Sequence, residues 1–183
     1  TWYGADAYCQ WLAEATGQPV TLPDEWLWEY AASGGNSTIS GRFYPWGPRF
    51  AGATYNNANY SGTGGIDIYN GTSPVGIFPL YQGLYDMAGN VFEWTTTLYE
   101  QGNPVDPFRV LRGGSWNQPV DFLPTSNRLV YKNEYYSDKA TGFRPAIVES
   151  AAFKVSGYIE VPTSPAVTTP NSVRPDYAAP TSR

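Results

Sequence analysis

The chain contains no histidine, one cysteine and one methionine among its 183 residues. Without histidine, its own residues can build no Ser-His-Asp or Cys-His site, no His metal triad and no zinc deaminase centre. A lone Cys9 excludes an internal disulfide and any cysteine metal cluster. No apolar run approaches the ~18 residues that mark a membrane-spanning helix. Positive charge is also scarce: 11 Lys and Arg against 16 Asp and Glu give a formal charge of −5, which leaves no electrostatic footprint for nucleic acid. Chemistry within the chain must come from carboxylates, hydroxyls and amides, or from groups borrowed from outside.

Aromatics, by contrast, are plentiful, with 7 Trp, 15 Tyr and 8 Phe beside 19 Gly and 16 Pro. Large rings whose polar ends find partners can fill the core of a loop-rich fold. Residues 1–150 read as one domain, while 151–183 read as a short strand followed by a Pro- and Thr-rich arm too poor in apolar surface to build a core. The chain opens at Thr1-Trp2-Tyr3, inside patterned sequence and without Met or a signal peptide, so the domain is expected to be incomplete at its N-terminal side.

Residues 3–16 place Ala7, Tyr8, Trp11, Leu12 and Ala15 at helical spacing, with Gly17 as a stop and Cys9 as a buried, inert thiol. A second helix is expected over 21–32, with Pro23 in its first turn and Trp26, Leu27 and Tyr30 on one apolar side broadened by Trp28. Beyond residue 36 the pattern breaks into short apolar pieces split by Gly, Asn, Asp and Pro. Loops of this length need something to fix them, and calcium suits carbonyl and carboxylate ligands.

Six blocks occur in a fixed order: TLPDEWLWEYAASGG (21–35), FYPWG (43–47), NNANY (56–60), SPVGIFPLYQGLYDMAGNVFEWTTTLY (73–99), RVLRGGSW (109–116) and GFRPA (142–146). Together they resemble the formylglycine-generating enzyme, or sulfatase-modifying factor, family. The resemblance implies an α+β, C-type lectin-like fold with two helices, a small antiparallel sheet and extensive irregular loops. Family oxidases hold copper with two cysteines just after the Gly-Gly-Ser-aromatic block. Those positions fall near Gln118 and Leu123 here, and neither offers a thiolate. No copper or iron is therefore expected, and the chain is expected not to be an enzyme.

The resemblance then implies a scaffold kept for binding: a non-catalytic ligand-binding or structural protein-interaction module in an extracellular, cell-surface or virion setting. Two alternatives stand beside it. One is a variable protein of a diversity-generating retroelement; the other is a family oxidoreductase that acts only with a His-bearing partner. The variable segment of such retroelement proteins corresponds to 117–140. Here Trp116, Asn117, Gln118, Asp121, Phe122, Tyr131, Asn133, Tyr135, Tyr136 and Asp138 offer adaptable hydrogen bonds and aromatic contacts.

For calcium, the resemblance points to Asn59, Asp67 and the carbonyls of Tyr60 and Tyr69 as one structural site, and to Asn90 and Glu93 as a second. Arg112 and Arg144 are expected to anchor the core edge by tying carbonyls and carboxylates. Expected partners are another protein or a surface ligand, with oligomers formed through an exposed N-terminal edge and the 151–183 arm. Asn36, Asn59 and Asn70 match the glycosylation acceptor pattern, which arises easily by chance in so Asn-, Ser- and Thr-rich a chain.

Overall fold

Thr1 starts the first helix, α1 (Trp2–Thr16), by accepting the Gly4 amide on its hydroxyl, and Gly17 stops it at φ 67 with its N–H on the Ala13 carbonyl. The computed structural model describes residues 1–35, 42–48, 57–61, 69–99, 107–128 and 130–148. Asn36, Asp67, the expected strand at 151–161 and the arm beyond it lie outside the described residues.

After α1 come β1 (Val20–Thr21), α2 (Glu25–Ala32), β2 (Phe92–Leu98), β3 (Phe108–Arg112), a 3-10 turn at Val120–Phe122, β4 (Val130–Asn133), β5 (Thr141–Phe143) and β6 (Ala146–Ile147). The second helix begins later than its spacing suggested. Thr21 is taken into β1, and the Asp24 carboxylate caps the Leu27 amide at 2.7 Å. Pro23 therefore precedes the helix, its carbonyl accepting the Thr96 amide.

The main sheet has the order β4-β3-β2-β5. β3 is antiparallel to both neighbours, but β5 joins β2 in parallel, pairing Phe92 with Thr141 and Trp94 with Phe143. β1 and β6 form a separate antiparallel pair. The expected antiparallel sheet is thus mixed at one edge.

Both helices turn a different face inward from the one their aromatics suggested. In α1 the buried residues are Ala5 and Cys9, packed with Leu22, Phe92, Trp94 and Leu111, whereas Tyr8 and Trp11 are 43% and 58% exposed. Small side chains let the helix axis approach a sheet floored with large rings, which leaves the helix's own rings outside. In α2, Glu25, Trp28 and Ala32 face inward, and Trp26 is 69% exposed. Cys9 is buried as expected, and burial pushes its thiol pKa up, with Asp6 adding to the effect. Two further clusters complete the core: Tyr44, Ala58, Tyr60, Ala88 and Leu123 in one, and Trp28, Ala32 and Met87 in the other.

Candidate functional site

β4 builds one wall of a cavity by simple alternation. Val130 and Lys132 project to one face of the strand, while Tyr131 projects to the other, where it stacks on Tyr99 with ring centroids 3.7 Å apart and meets the edge of Phe108. The cavity, of about 210 Å³, is lined by Phe92, Leu111, Phe122 and Val130 as its apolar part. Asn117, Gln118, Lys132, Tyr136, Asp138 and Thr141 supply its polar part.

Three short segments hold these polar groups. After β3, the Ser115 carbonyl takes the Gln118 amide at 3.0 Å, and the Ser115 hydroxyl donates to Asn117 Oδ1 at 2.9 Å. The 3-10 turn brings Phe122 edge-on to Phe92, with centroids 6.2 Å apart. After β4, the Asn133 side chain takes the Tyr135 amide at 2.7 Å and its carbonyl takes the Tyr136 amide at 2.9 Å, turning the chain back on itself. The Tyr136 hydroxyl then donates to Asp138 Oδ2 at 2.7 Å, and the Ala140 amide donates to Asp138 Oδ1 at 2.9 Å. Lys132 Nζ lies 4.8 Å from the centre of the Tyr136 ring.

Burial pushes the Asp138 carboxyl pKa up, but hydrogen bonds from Tyr136, Thr141 and Ala140, together with the Lys132 charge, outweigh it and hold the group below its usual value. Its partner moves oppositely. Donation to Asp138, then burial, raises the Tyr136 hydroxyl, as donation to Glu134 and burial raise Tyr3. A folded pKa above the unfolded value near 10 gives stability that is complete below that value and is lost as pH rises through the folded one. Unfolding free energy should therefore decline above about pH 10, and Tyr136→Phe should flatten part of that decline. Urea melts at pH 8 and pH 11 on both proteins read this directly.

Of the residues anticipated for binding, Asn117, Gln118, Phe122, Tyr136 and Asp138 converge on the cavity. Tyr131 does not, because it belongs to the ring stack on the opposite face of β4. Asn133 is used in the turn. Tyr135 packs on Tyr3, with centroids 5.1 Å apart, and is 71% exposed. Trp116 reaches the Lys139 carbonyl at 3.4 Å, and the Asp121 carbonyl accepts from Asn127 Nδ2 at 2.8 Å. Lys132 was missed, although its place two residues after Val130 is the signal that pairs it with the cavity. Phe92 and Leu111 come from strands distant in sequence and left no local signal.

Of the anticipated calcium ligands, Asn90 and Glu93 are engaged within the protein. Asn90 Oδ1 accepts the Ser73 amide at 3.0 Å. The Glu93 carboxylate takes Trp28 Nε1 at 2.6 Å and both arms of the Arg144 fork, at 3.0 and 2.7 Å. The expectation that Asn90 and Glu93 hold a cation does not fit this arrangement, because Arg144 already supplies the positive charge and a metal would have to displace it. At the other expected site, Asn59 is 1% exposed and donates Nδ2 to the Gly71 carbonyl at 2.9 Å, which also keeps that amide from a glycosylating enzyme. Tyr60 is buried and Tyr69 half-buried. Among the described residues, no three His, Cys, Asp or Glu side chains group around a common point.

Arg112 and Arg144 anchor as anticipated. Arg112 is buried, donates to the Asn127 and Thr125 carbonyls at 2.7 and 2.9 Å, and pairs with Glu29; Arg144 adds the Tyr85 carbonyl at 2.9 Å. Glu29 and Glu93 are thus bound to separate arginines.

The position expected for the first copper cysteine, Gln118, lies on the cavity, whereas Leu123 is fully buried in the Tyr44 cluster. The donor set does not fit copper. Residues 1–148 match the family described as "Sulfatase-modifying factor enzyme 1-like domain". The inactive C-alpha-formylglycine-generating enzyme 2 of Mus musculus is 40% identical over 129 residues, covering 66% of this chain and 37% of that protein. The formylglycine-generating enzyme of Mus musculus is 36% identical over 135 residues, covering 63% and 34%. The chain thus spans about a third of the length of these relatives.

Among solved structures, PvdO from Pseudomonas aeruginosa superposes with a TM-score of 0.62 at 28% identity, covering 79% of this chain and 58% of that one. Treponema denticola variable protein 1 gives 0.53 at 30% identity, covering 71% and 48%. The two helices, the small mixed sheet and the long loops are the C-type lectin-like arrangement these neighbours share. Ordered blocks, fold and matched span agree: the chain belongs to the sulfatase-modifying factor enzyme 1-like domain family.

Proposed function

We propose that this chain is a non-catalytic member of its family that binds a ligand in the cavity between β4, the 3-10 turn and the 134–141 segment. One observation carries the reading. The positions expected to carry the oxidase cysteines are an amide at the cavity and a buried leucine, while the same cavity gathers Asn117, Gln118, Phe122, Tyr136 and Asp138 around an apolar floor. Convergent polar groups over apolar walls are what a small-molecule site needs. The matched relative named inactive supports the loss of chemistry.

A fragment screen followed by amide NMR tests the proposal. Binders should shift resonances within 115–122 and 130–141, and Gln118→Trp, which adds bulk to the lining from a side chain without a hydrogen bond among the described residues, should weaken them at least tenfold. Shifts scattered over the surface, or copper-dependent oxidation of a cysteine peptide by the purified chain, would overturn it.

A second reading, display of a variable protein-binding surface outside the cell or on a virion, is supported by the variable-protein neighbour and by the exposure of Asn117, Asp121, Tyr135 and Asp138 on 117–140. It requires a near-copy of the coding segment for 117–140, differing at adenines, beside a reverse transcriptase.

A further inference from the structure

We infer that the cavity selects small apolar carboxylates and that Lys132 is its anion-binding group; this rests on the cavity being the binding site. Four of the five described arginines sit in ion pairs. Arg109, Arg112, Arg128 and Arg144 each meet a carboxylate, Glu134, Glu29, Glu25 and Glu93 respectively. Arg42, Lys139 and Lys132 form no ion pair among the described residues, and of these only Lys132 lines the cavity. Its contact is the face of the Tyr136 ring, which orients the ammonium and leaves its three donors open.

Asp138, whose carboxyl the Lys132 charge helps to hold below its usual value, makes no close ion pair with it. Asp138 receives the Tyr136 hydroxyl and the Ala140 amide on separate oxygens, with Thr141 as a further donor. That carboxylate therefore holds the tyrosine and the turn in place.

The neighbouring amides add donors. Asn117 Oδ1 is occupied by the Ser115 hydroxyl, so Asn117 presents Nδ2. The Gln118 side-chain amide makes no hydrogen bond among the described residues, while its backbone N–H and carbonyl are taken by Ser115 and Ser61. An ammonium flanked by primary amides above a floor of Phe92, Leu111, Phe122 and Val130 matches a molecule with a carboxylate at one end and a ring or branched chain at the other. A cationic ligand would face Lys132, and a neutral one would leave its donors unmet, while Asp138, also on the lining, keeps its two oxygens on Tyr136 and Ala140. A bare inorganic anion would leave the aromatic floor uncovered. The volume of about 210 Å³ falls below the roughly 300 Å³ at which drug-sized sites begin, which limits the ligand to about one ring and a short acidic arm.

The test compares 3-phenylpropionate with 3-phenylpropanamide, which share a ring and arm and differ in charge. Titrations followed by amide NMR should show both in the cavity, with the acid at least tenfold tighter and its advantage shrinking as salt rises. Lys132→Met should bring the acid down to the affinity of the amide while leaving the amide within about twofold; Lys132→Arg should keep the preference. Equal binding of acid and amide to the native protein, or a preference that survives Lys132→Met, overturns the inference while leaving the cavity as a binding site. Failure of both probes to shift the cavity resonances at millimolar concentration overturns the inference and the site together.

Discussion

Gly89→Ala should destabilise the protein by at least about 4 kcal/mol, enough to leave little folded material. Gly89 sits at φ 76, and a Cβ there would lie 2.2 Å from the Asn59 carbonyl oxygen. The left-handed backbone alone costs an alanine about 1–2 kcal/mol. The collision adds more, because the atom in the way is main chain and cannot rotate aside. Asn59 would have to retreat, and its carbonyl holds the Asn90 amide at 2.8 Å while its side chain holds the Gly71 carbonyl. Gly89 itself donates to the Gly113 carbonyl at 2.8 Å, so the strain reaches the turn after β3. Gly17→Ala is the matched control. It has a similar φ of 67 with nothing within 4 Å of the added carbon, and should cost only about 1–2 kcal/mol. Urea midpoints of the two variants separate backbone strain from collision, and equal losses would mean that the Asn59 contact yields easily.

Arg112→Met should cost about 3–5 kcal/mol, the range for stranding one half of an internal ion pair. Its side chain is fully buried and joins three pieces that sequence does not bring together: Glu29 on α2, β3 itself, and the carbonyls of Thr125 and Asn127. It also lies over the Trp28 ring, 5.4 Å from the centroid. Methionine fills much of the volume and restores none of the hydrogen bonds. Glu29 retains some solvent contact, with a side chain 23% exposed, so Glu29→Gln alone should cost less, about 1–2 kcal/mol. The double variant should be less damaged than the two losses added together, since the neutral amide that replaces the Glu29 carboxylate no longer presents an unpaired charge. Strict additivity in chemical denaturation would show that the pair contributes nothing beyond its separate contacts.

How far the chain could be read without coordinates depended on what carried each signal. The ordered blocks gave the family and fold, because each block packs against another and their sequence order is part of the topology. The capped end of α1 at Gly17 and the anchoring roles of Arg112 and Arg144 were legible for local chemical reasons. Helix faces were not. In α1 and α2 apolar residues occupy more than one side, so periodicity could not choose between Ala5/Cys9 and Tyr8/Trp11, and the choice fell to the space left beneath the sheet. At the cavity, residues from one contiguous stretch were found, whereas Phe92 and Leu111 came together through β2 and β3 pairing. Tyr131 was misplaced and Lys132 overlooked for the same cause: the two-residue alternation of a strand sends neighbours to opposite faces. Glu93 read as a metal ligand because nothing local announces that Arg144, far along the chain, reaches it.

That alternation in β4 has a consequence for how the molecule can change over generations. Lys132 touches the Tyr136 ring and the cavity, while Tyr131 is locked between Tyr99 and Phe108. Substitution at 132 should disturb folding less than substitution at 131, which would break the ring stack. A lineage can therefore explore new recognition at one residue while its immediate neighbour preserves the strand, and adaptation need not wait for a compensating mutation elsewhere.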